Sequence, residues 1–279
     1  MEYRYLGRTH EKVSTIGMGT WKIGSYASAA ERQAQVDALR RGTELGINLI
    51  DTAEMYAHGR SEKVVADAIK GVRSDVFIAS KVSPENLHHD GVLKACRTTL
   101  TRLGTSYIDL YQVHWPNPKI PIRETMAAME RLVEEGAIRF IGVSNFSVAQ
   151  TQEARGALSN NEVHSNQVEY SFGNRLVEAD VLPYSTKEEI SLIAYSPLAR
   201  GKLADSIPKT TLQKYKMSPA QVMLNWVTRN PRVLANPQGC QHPPCGRERF
   251  IGLGEAHPRR AWSTVEGVNS IPLALDIGI

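Results

Sequence analysis

Short β-branched runs alternate with longer stretches of helical period along most of this 279-residue chain, and that alternation limits the fold more than any other feature. The strand candidates are "STIGMGTW", "INLIDTA", "VFIASKV", "IDLYQVH", "FIGVSNF", "SNQVEY", "SLIAYSPL" and "RVLANP". Strands separated by helices pair in parallel, because a crossover helix returns the chain to the same end of the sheet. Eight such units predict a closed α/β (β/α)8 TIM barrel, with chemistry at the carboxyl ends of the strands. The opening "YRYLGRTHEKVSTIG" alternates around Gly7 and predicts an N-terminal β-hairpin across one end of the barrel. Helix starts are legible at Ser28 with Glu31, Ser147 with Gln150, and Ser218 with Gln221, each spaced as a capping box, the last with Pro219 at the first helical position.

The pattern fails from about Asn236. "NPQGCQHPPCGRERFIGLGEAHPRRAWSTVEGVNS" scatters proline and glycine and holds no period of 3.6, so the domain reading is a barrel over 1–235 and an atypical C-terminal tail over 236–279 without a recognisable eighth helix. The abruptness of the change predicts a shifted reading frame near codon 236, and with it lower stability and weakened cofactor affinity. "CQHPPC" followed by His257 resembles part of a zinc site, but lacks a second cysteine pair; a loosely packed tail is the simpler reading.

Composition excludes several classes. With 42% hydrophobic and 22% charged residues the chain can build a core, and the formal charge of +4 is interleaved without a basic block, so no nucleic-acid partner is expected. The start lacks the design of a signal peptide and no apolar run approaches the ~18 residues of a membrane span, so no membrane partner is expected. Three cysteines, Cys96, Cys240 and Cys245, are too few and odd in number for a disulfide framework, which points to a cytoplasmic protein. Nothing in the sequence bears on an oligomeric state.

Asp51, Lys81 and His114 close the second, third and fourth strand candidates, and Tyr56 follows Asp51 on the adjoining loop. Taken singly, a strand-end Asp caps a turn, a Lys is solvated and a Tyr is packed with its hydroxyl satisfied. Only convergence at a barrel mouth makes them a site. A metal-dependent hydrolase is a second reading of His114 with Asp51, although no other strand ends in histidine and no metal is expected.

The ordered series "GTW" at 19–21, "DTAEMY" at 51–56, "GRSE" at 59–62, "ASKV" at 79–82, "DLYQVHWP" at 109–116, "GVSNF" at 142–146, "NQVEY" at 166–170 and "AYSPL" at 194–198 resembles the aldo-keto reductase family. The resemblance implies NADPH-dependent reduction of an aldehyde or ketone to an alcohol, with Tyr56 as general acid and Asp51, Lys81 and His114 completing the catalytic set. It implies that Ser144, Asn145 and Gln167 bind the nicotinamide carboxamide, that Tyr195 stacks on the ring, and that Ser196, Leu198, Arg200 and Gly201 face the pyrophosphate. Gly19 and Thr20 would close the far side, with Asp51 adjoining the cofactor. NADP is preferred over NAD by resemblance alone, since the family's Ile-Pro-Lys is here Asn236, Pro237 and Gln238, and nothing places Arg247, Arg249, Arg259 or Arg260.

A free tyrosine titrates at about 10, too high for an efficient acid near neutrality. An ammonium about 4 Å away would favour the phenolate by roughly 4 kcal/mol at an effective dielectric of about 20, or about three pKa units with solvation unchanged. Lys81, aimed by Asp51, is therefore expected to lower the pKa of Tyr56, and His114 to donate a hydrogen bond to the substrate oxygen. Trp21, Met55, Trp115 and Phe146 are expected to wall the substrate carbonyl, which leans toward aromatic or medium-chain aldehydes; the tryptophans are equally readable as packing aromatics. The competing functions are a cofactor-sensing subunit of the potassium-channel β type, which shares this fold, and an inactive variant impaired by its altered C-terminus. No Rossmann glycine fingerprint and no P-loop is present, so dinucleotide binding has to be argued from the barrel mouth.

Overall fold

In the computed structural model, residues 1–238 are described. Strand β1 (Tyr3–Tyr5) pairs antiparallel with β2 (Lys12–Ser14), so the expected hairpin is present. Its turn needs glycine at position 7, where φ is +53° and an added Cβ would lie 2.6 Å from the carbonyl oxygen of His164. The Gly7 N–H donates to Ser191 Oγ at 2.8 Å. Leu6 and Val13, both fully buried, pack from the hairpin against Leu49, Phe77, Leu110, Ile193 and Leu234 and fill one end of the barrel. The Arg4 guanidinium fastens the hairpin by donating to the carbonyls of Thr228, Asn230 and Val233.

Eight parallel strands follow in sequence order: β3 (Met18–Gly19), β4 (Leu49–Asp51), β5 (Phe77–Val82), β6 (Ile108–Val113), β7 (Ile138–Ser144), β8 (Val163–Glu169), β9 (Ser191–Tyr195) and β10 (Val233–Asn236). The seam between the first and last of these is closed by Gly17 N–H to Ala235 O at 2.8 Å, Ala235 N–H to Thr15 O at 2.9 Å and Gly19 N–H to Pro237 O at 2.9 Å. Every residue of β5 and of β6 is buried, as expected of parallel strands covered on both faces.

Helices α1 (Ala29–Glu44), α2 (Arg60–Ile69), α3 (His89–Leu103), α4 (Ile122–Glu134), α5 (Val148–Ala157) and α6 (Val181–Lys187) each fill one crossover, while α7 (Lys209–Tyr215) and α8 (Pro219–Val227) share the last. Ser147 and Ser218 form reciprocal capping boxes with Gln150 and Gln221. At α1 only half of the expected box forms: Ser28 accepts from the Glu31 N–H, but the Glu31 carboxylate takes the N–H of Ala27 instead.

Helix and strand faces meet in a dry layer typified by Val64, Val65 and Ile69 of α2 beside Cys96 and Leu103 of α3. Each such side chain contributes about 1.5–3 kcal/mol on burial. The barrel interior changes character along its axis. Toward the carboxyl ends the buried side chains become polar: Asp51, Lys81, Gln112, Ser144, Gln167 and Asn236. Such a layer costs stability unless its groups satisfy one another. The eight-stranded barrel expected from the sequence is observed. The questions raised by residues 239–279, namely the eighth helix, "CQHPPC" and the arginines from 247 to 260, lie outside the described residues.

Candidate active site

The polar layer is centred on one ion pair. Lys81 Nζ, with no exposed surface, donates to Asp51 Oδ1 at 2.6 Å, to the Thr52 carbonyl at 3.0 Å and to Tyr56 Oη at 3.2 Å. Strand alternation explains the aim, since Lys81 points into the barrel while its neighbour Ser80 bonds Glu62 on the helix side. Asp51 is held from three further strands: Gln167 Nε2 donates to Oδ2 at 2.8 Å, Asn236 Nδ2 to Oδ1 at 2.9 Å and Gln112 Nε2 to Oδ2 at 3.5 Å. A carboxylate that accepts from so many donors is fixed in orientation.

Tyr56 begins a tight turn over Tyr56–Gly59 in which Ala57 and His58 take positive φ of 48° and 55°. Left-handed backbone at non-glycine residues persists only where the surroundings impose it. The turn is pinned next to its end by Ser61, whose hydroxyl donates to Thr20 Oγ1 at 2.7 Å. Thr20 in turn bonds the Asp51 carbonyl through its N–H at 3.0 Å and its hydroxyl at 3.0 Å, so the "GTW" and "DTAEMY" segments are tied together.

The electrostatics differ from expectation in one respect. Burial raises the Tyr56 pKa, Lys81 lowers it, Asp51 raises it again, and the balance lies above the ordinary value of 10.0. The expectation of a lowered value took solvation as unchanged; desolvation of the phenolate is the larger effect. Tyr56 is therefore a protonated phenol at neutral pH, with the Lys81 ammonium in contact with its hydroxyl. Burial also disfavours the Lys81 ammonium, but Asp51 and then Tyr56 outweigh it and its pKa is raised.

His114 meets Tyr56 edge to face, ring centroids 5.6 Å apart, and stacks on Trp115 at 4.1 Å. Burial, reinforced by Lys81, lowers its pKa to about 2, so it is neutral near pH 7. Its Nδ1 is buried without a partner, which favours the tautomer with the proton on Nε2. That makes His114 a neutral imidazole with a hydrogen-bond donor at Nε2.

Beside this set, the end of β7 and the β9 loop form a linked polar surface. Tyr195 Oη donates to Asn145 Oδ1 at 3.0 Å, Asn145 Nδ2 donates to the His114 carbonyl and to Ser144 Oγ, both at 3.0 Å, and Ser144 Oγ donates to the Gln167 carbonyl at 2.8 Å. The four residues expected around a nicotinamide are thus neighbours, although the Gln167 amide nitrogen is engaged by Asp51. Downstream, Ser196, Ala199, Arg200 and Gly201 all have positive φ, from 47° to 81°. Turns of this kind gather backbone N–H groups into anion-binding concavities, and Arg200 and Gly201 are exposed there. The chain therefore has a carboxamide-sized polar cluster and a phosphate-suited turn at adjacent strand ends, which fits a dinucleotide.

Trp21, Met55 and Trp115 are exposed apolar side chains at 55%, 44% and 38%. Phe146, expected beside them, lies instead in the core at 2% exposure, because the chain after β7 turns inward where Asn166 Nδ2 holds the Phe146 carbonyl at 2.9 Å. The roles of Gln112, Asn166 and Asn236 were not anticipated. Their signal was a side-chain amide within a buried strand, where polar groups seek partners; the amide nitrogens find them, while Gln112 Oε1, Asn166 Oδ1 and Asn236 Oδ1 are buried without one. Among the described residues, no group of three His, Cys, Asp or Glu side chains is arranged to hold a metal ion.

The family model described as "Aldo/keto reductase family" matches residues 15–236. Among curated proteins, methylglyoxal reductase YeaE of Escherichia coli K12 is 43% identical over 80% of this chain and 80% of its own length. Among solved structures, a thermostable aldo-keto reductase bound to the inhibitor epalrestat superposes with a TM-score of 0.84 at 37% identity, covering 92% of this chain and 96% of that one. An aldo/keto reductase from Klebsiella pneumoniae, bound to NADP and acetate, gives 0.80 at 37% identity over 91% and 90%. With the barrel and the Asp-Tyr-Lys-His set already in view, the chain belongs to the aldo-keto reductase family and is an NAD(P)H-dependent oxidoreductase.

Proposed function

We propose that the protein reduces small aldehydes or ketones to alcohols with NADPH, Tyr56 serving as proton donor. The observation that carries this reading is the contact of Lys81 Nζ with both Tyr56 Oη, at 3.2 Å, and Asp51 Oδ1, at 2.6 Å. When bound, NADPH would supply the hydride, two electrons with one proton, that the carbonyl carbon accepts. The carbonyl oxygen, placed between Tyr56 Oη and the His114 ring, takes its proton from Tyr56 as the C=O π bond breaks and the O–H bond forms. The phenolate left behind is stabilised by the Lys81 ammonium and reprotonated from solvent. His114 donates a hydrogen bond that orients the carbonyl and stabilises the charge growing on its oxygen.

Ser144, Asn145 and Gln167 are proposed to hold the carboxamide, Tyr195 to stack on the ring, and Ser196, Leu198, Arg200 and Gly201 to face the pyrophosphate, with Gly19 and Thr20 opposite. NADP is favoured over NAD because the Klebsiella pneumoniae structure similar to this chain holds NADP. Trp21, Met55 and Trp115 are proposed as a shallow apolar wall, and a two-carbonyl aldehyde such as methylglyoxal is the first substrate to try, since a relative at 43% identity bears the name methylglyoxal reductase. With three cysteines in the whole chain, we propose a reducing cytoplasm as its compartment.

The test is NADPH oxidation in the presence of methylglyoxal and a panel of aldehydes, repeated with Tyr56→Phe. Turnover that is lost in the variant supports the proposal. NADPH binding without turnover indicates a sensing subunit, and the absence of binding an inactive product.

A further inference from the structure

Behind the turn that carries Tyr56 lies a charged group with no part in the proposed chemistry. Glu62, in the first turn of α2, has no exposed surface. Its Oε1 accepts from Ser80 Oγ at 3.1 Å and Thr99 Oγ1 at 2.9 Å, and its Oε2 accepts from Arg102 Nη1 at 3.1 Å. The same Arg102 nitrogen lies 3.5 Å from the Glu54 carbonyl, two residues before Tyr56. At the far end of the turn the guanidinium rests against Gly59, where an added Cβ would fall 2.4 Å from Arg102 Cζ.

Four segments therefore meet on this pair: α2, α3, the strand residue next to Lys81, and both ends of the turn holding Tyr56. Stability is a weak reason for such a group, because a buried ion pair rarely outperforms well-packed apolar side chains of the same size. Fixed geometry is a better one. Between Glu54 and Gly59 the backbone holds Ala57 and His58 at positive φ, a conformation that its surroundings have to impose. On the opposite side of the same turn, the Glu54 carboxylate accepts from Ser83 N–H at 2.6 Å and Asn86 Nδ2 at 3.0 Å, tying it to the segment after β5.

We propose that Glu62 and Arg102 are positioning residues for Tyr56, an ion-paired brace that holds residues 54–59 so that the phenol stays against Lys81. The inference rests on Tyr56 being the proton donor. A brace acts on the Tyr56–Lys81 distance alone, so its loss should weaken turnover and change the titration of Tyr56 while cofactor affinity is unchanged.

The experiment uses the full chain carrying Arg102→Met, the near-isosteric Thr99→Val, and each of these combined with Tyr56→Phe. Arg102→Met is expected to lower kcat by about tenfold to a hundredfold, the scale set by an ångström of misplacement, and Thr99→Val to lower it less. On the residual turnover of Tyr56→Phe, measured with enzyme in excess over substrate, neither substitution should cause a further loss, since there is no phenol left to position. In the ligand-free protein, isotope-labelled tyrosine gives an independent reading: of the 10 tyrosines, the one whose signal is missing in Tyr56→Phe should change its titration in Arg102→Met.

An unchanged kcat, or the same fold-loss with and without Tyr56, overturns the proposal and leaves the pair a structural support. Should Arg102→Met fail to fold, Thr99→Val decides by the same criteria. If the wild-type protein reduces no carbonyl, the proposed function fails by itself, and the tyrosine titration still judges the brace: identical Tyr56 titration in wild type and variant refutes it.

Discussion

Replacing Lys81 by methionine removes one charge and little volume from the centre of the site. At 3.2 Å from Tyr56 Oη, the ammonium favours a full phenolate by about 5 kcal/mol at an effective dielectric of about 20. A proton half transferred carries roughly half that charge, which gives about 2.5 kcal/mol in the transition state, or about a hundredfold in kcat. The variant is expected to fold, because Asp51 keeps donors from Gln167 and Asn236 at 2.8 and 2.9 Å. Lys81→Arg should recover only part of the loss, since a planar guanidinium cannot match an ammonium that serves Asp51, Thr52 and Tyr56 at once. The assay is steady-state NADPH oxidation across pH, alongside NADPH affinity by fluorescence. A loss under about fivefold, less than about 1 kcal/mol, with cofactor affinity intact would refute the claim that this cation stabilises a developing phenolate.

Further predictions follow from the same geometry. His114 titrates near 2 in the folded chain against an ordinary 6.5, so between those values the unfolded chain binds the extra proton and stability falls as pH drops below about 6.5. Burial lowers His164 in the same sense; urea melts of His114→Gln should show a shallower acid-side loss than wild type. Tyr195→Ala should weaken NADPH binding by about tenfold, with kcat at saturating cofactor affected far less, as measured by fluorescence titration. Leu6→Ala, in the plug under the barrel, should cost about 2–5 kcal/mol in a denaturant melt and leave KM for the carbonyl unchanged. Reading the gene in its other two frames beyond codon 236 should reveal a lysine-containing loop and an amphipathic helix; if neither frame encodes them, the frame-shift explanation fails.

Much of this molecule was legible because its strands are short, separate and buried on both faces. Runs such as "VFIASKV" need no partner to be recognised, and the residues closing them, Asp51, Lys81 and His114, stand out as charge or imidazole where an apolar run should continue. What the sequence could not supply was distance-dependent balance. Whether Tyr56 sits above or below its ordinary pKa depends on how far burial of the phenolate exceeds the pull of Lys81, and that follows only from coordinates. Phe146 was misassigned for a related reason: adjacency to Asn145 does not tell which way the chain turns after β7. Glu62 lay in plain view inside "GRSE", yet its partners Ser80, Thr99 and Arg102 are 18, 37 and 40 residues away. The capping boxes, which are local, were nearly all readable, and the one at α1 missed its second half by a single residue.

The clasp of Arg4 on carbonyls 224 to 229 positions downstream has a kinetic corollary. A newly emerging polypeptide cannot complete its floor until Val233 at the start of β10 has left the ribosome, so this region should acquire protection from hydrogen exchange among the last. Contacts so distant along the chain slow folding, and truncated nascent chains should be more vulnerable to proteases at their amino end than the finished protein.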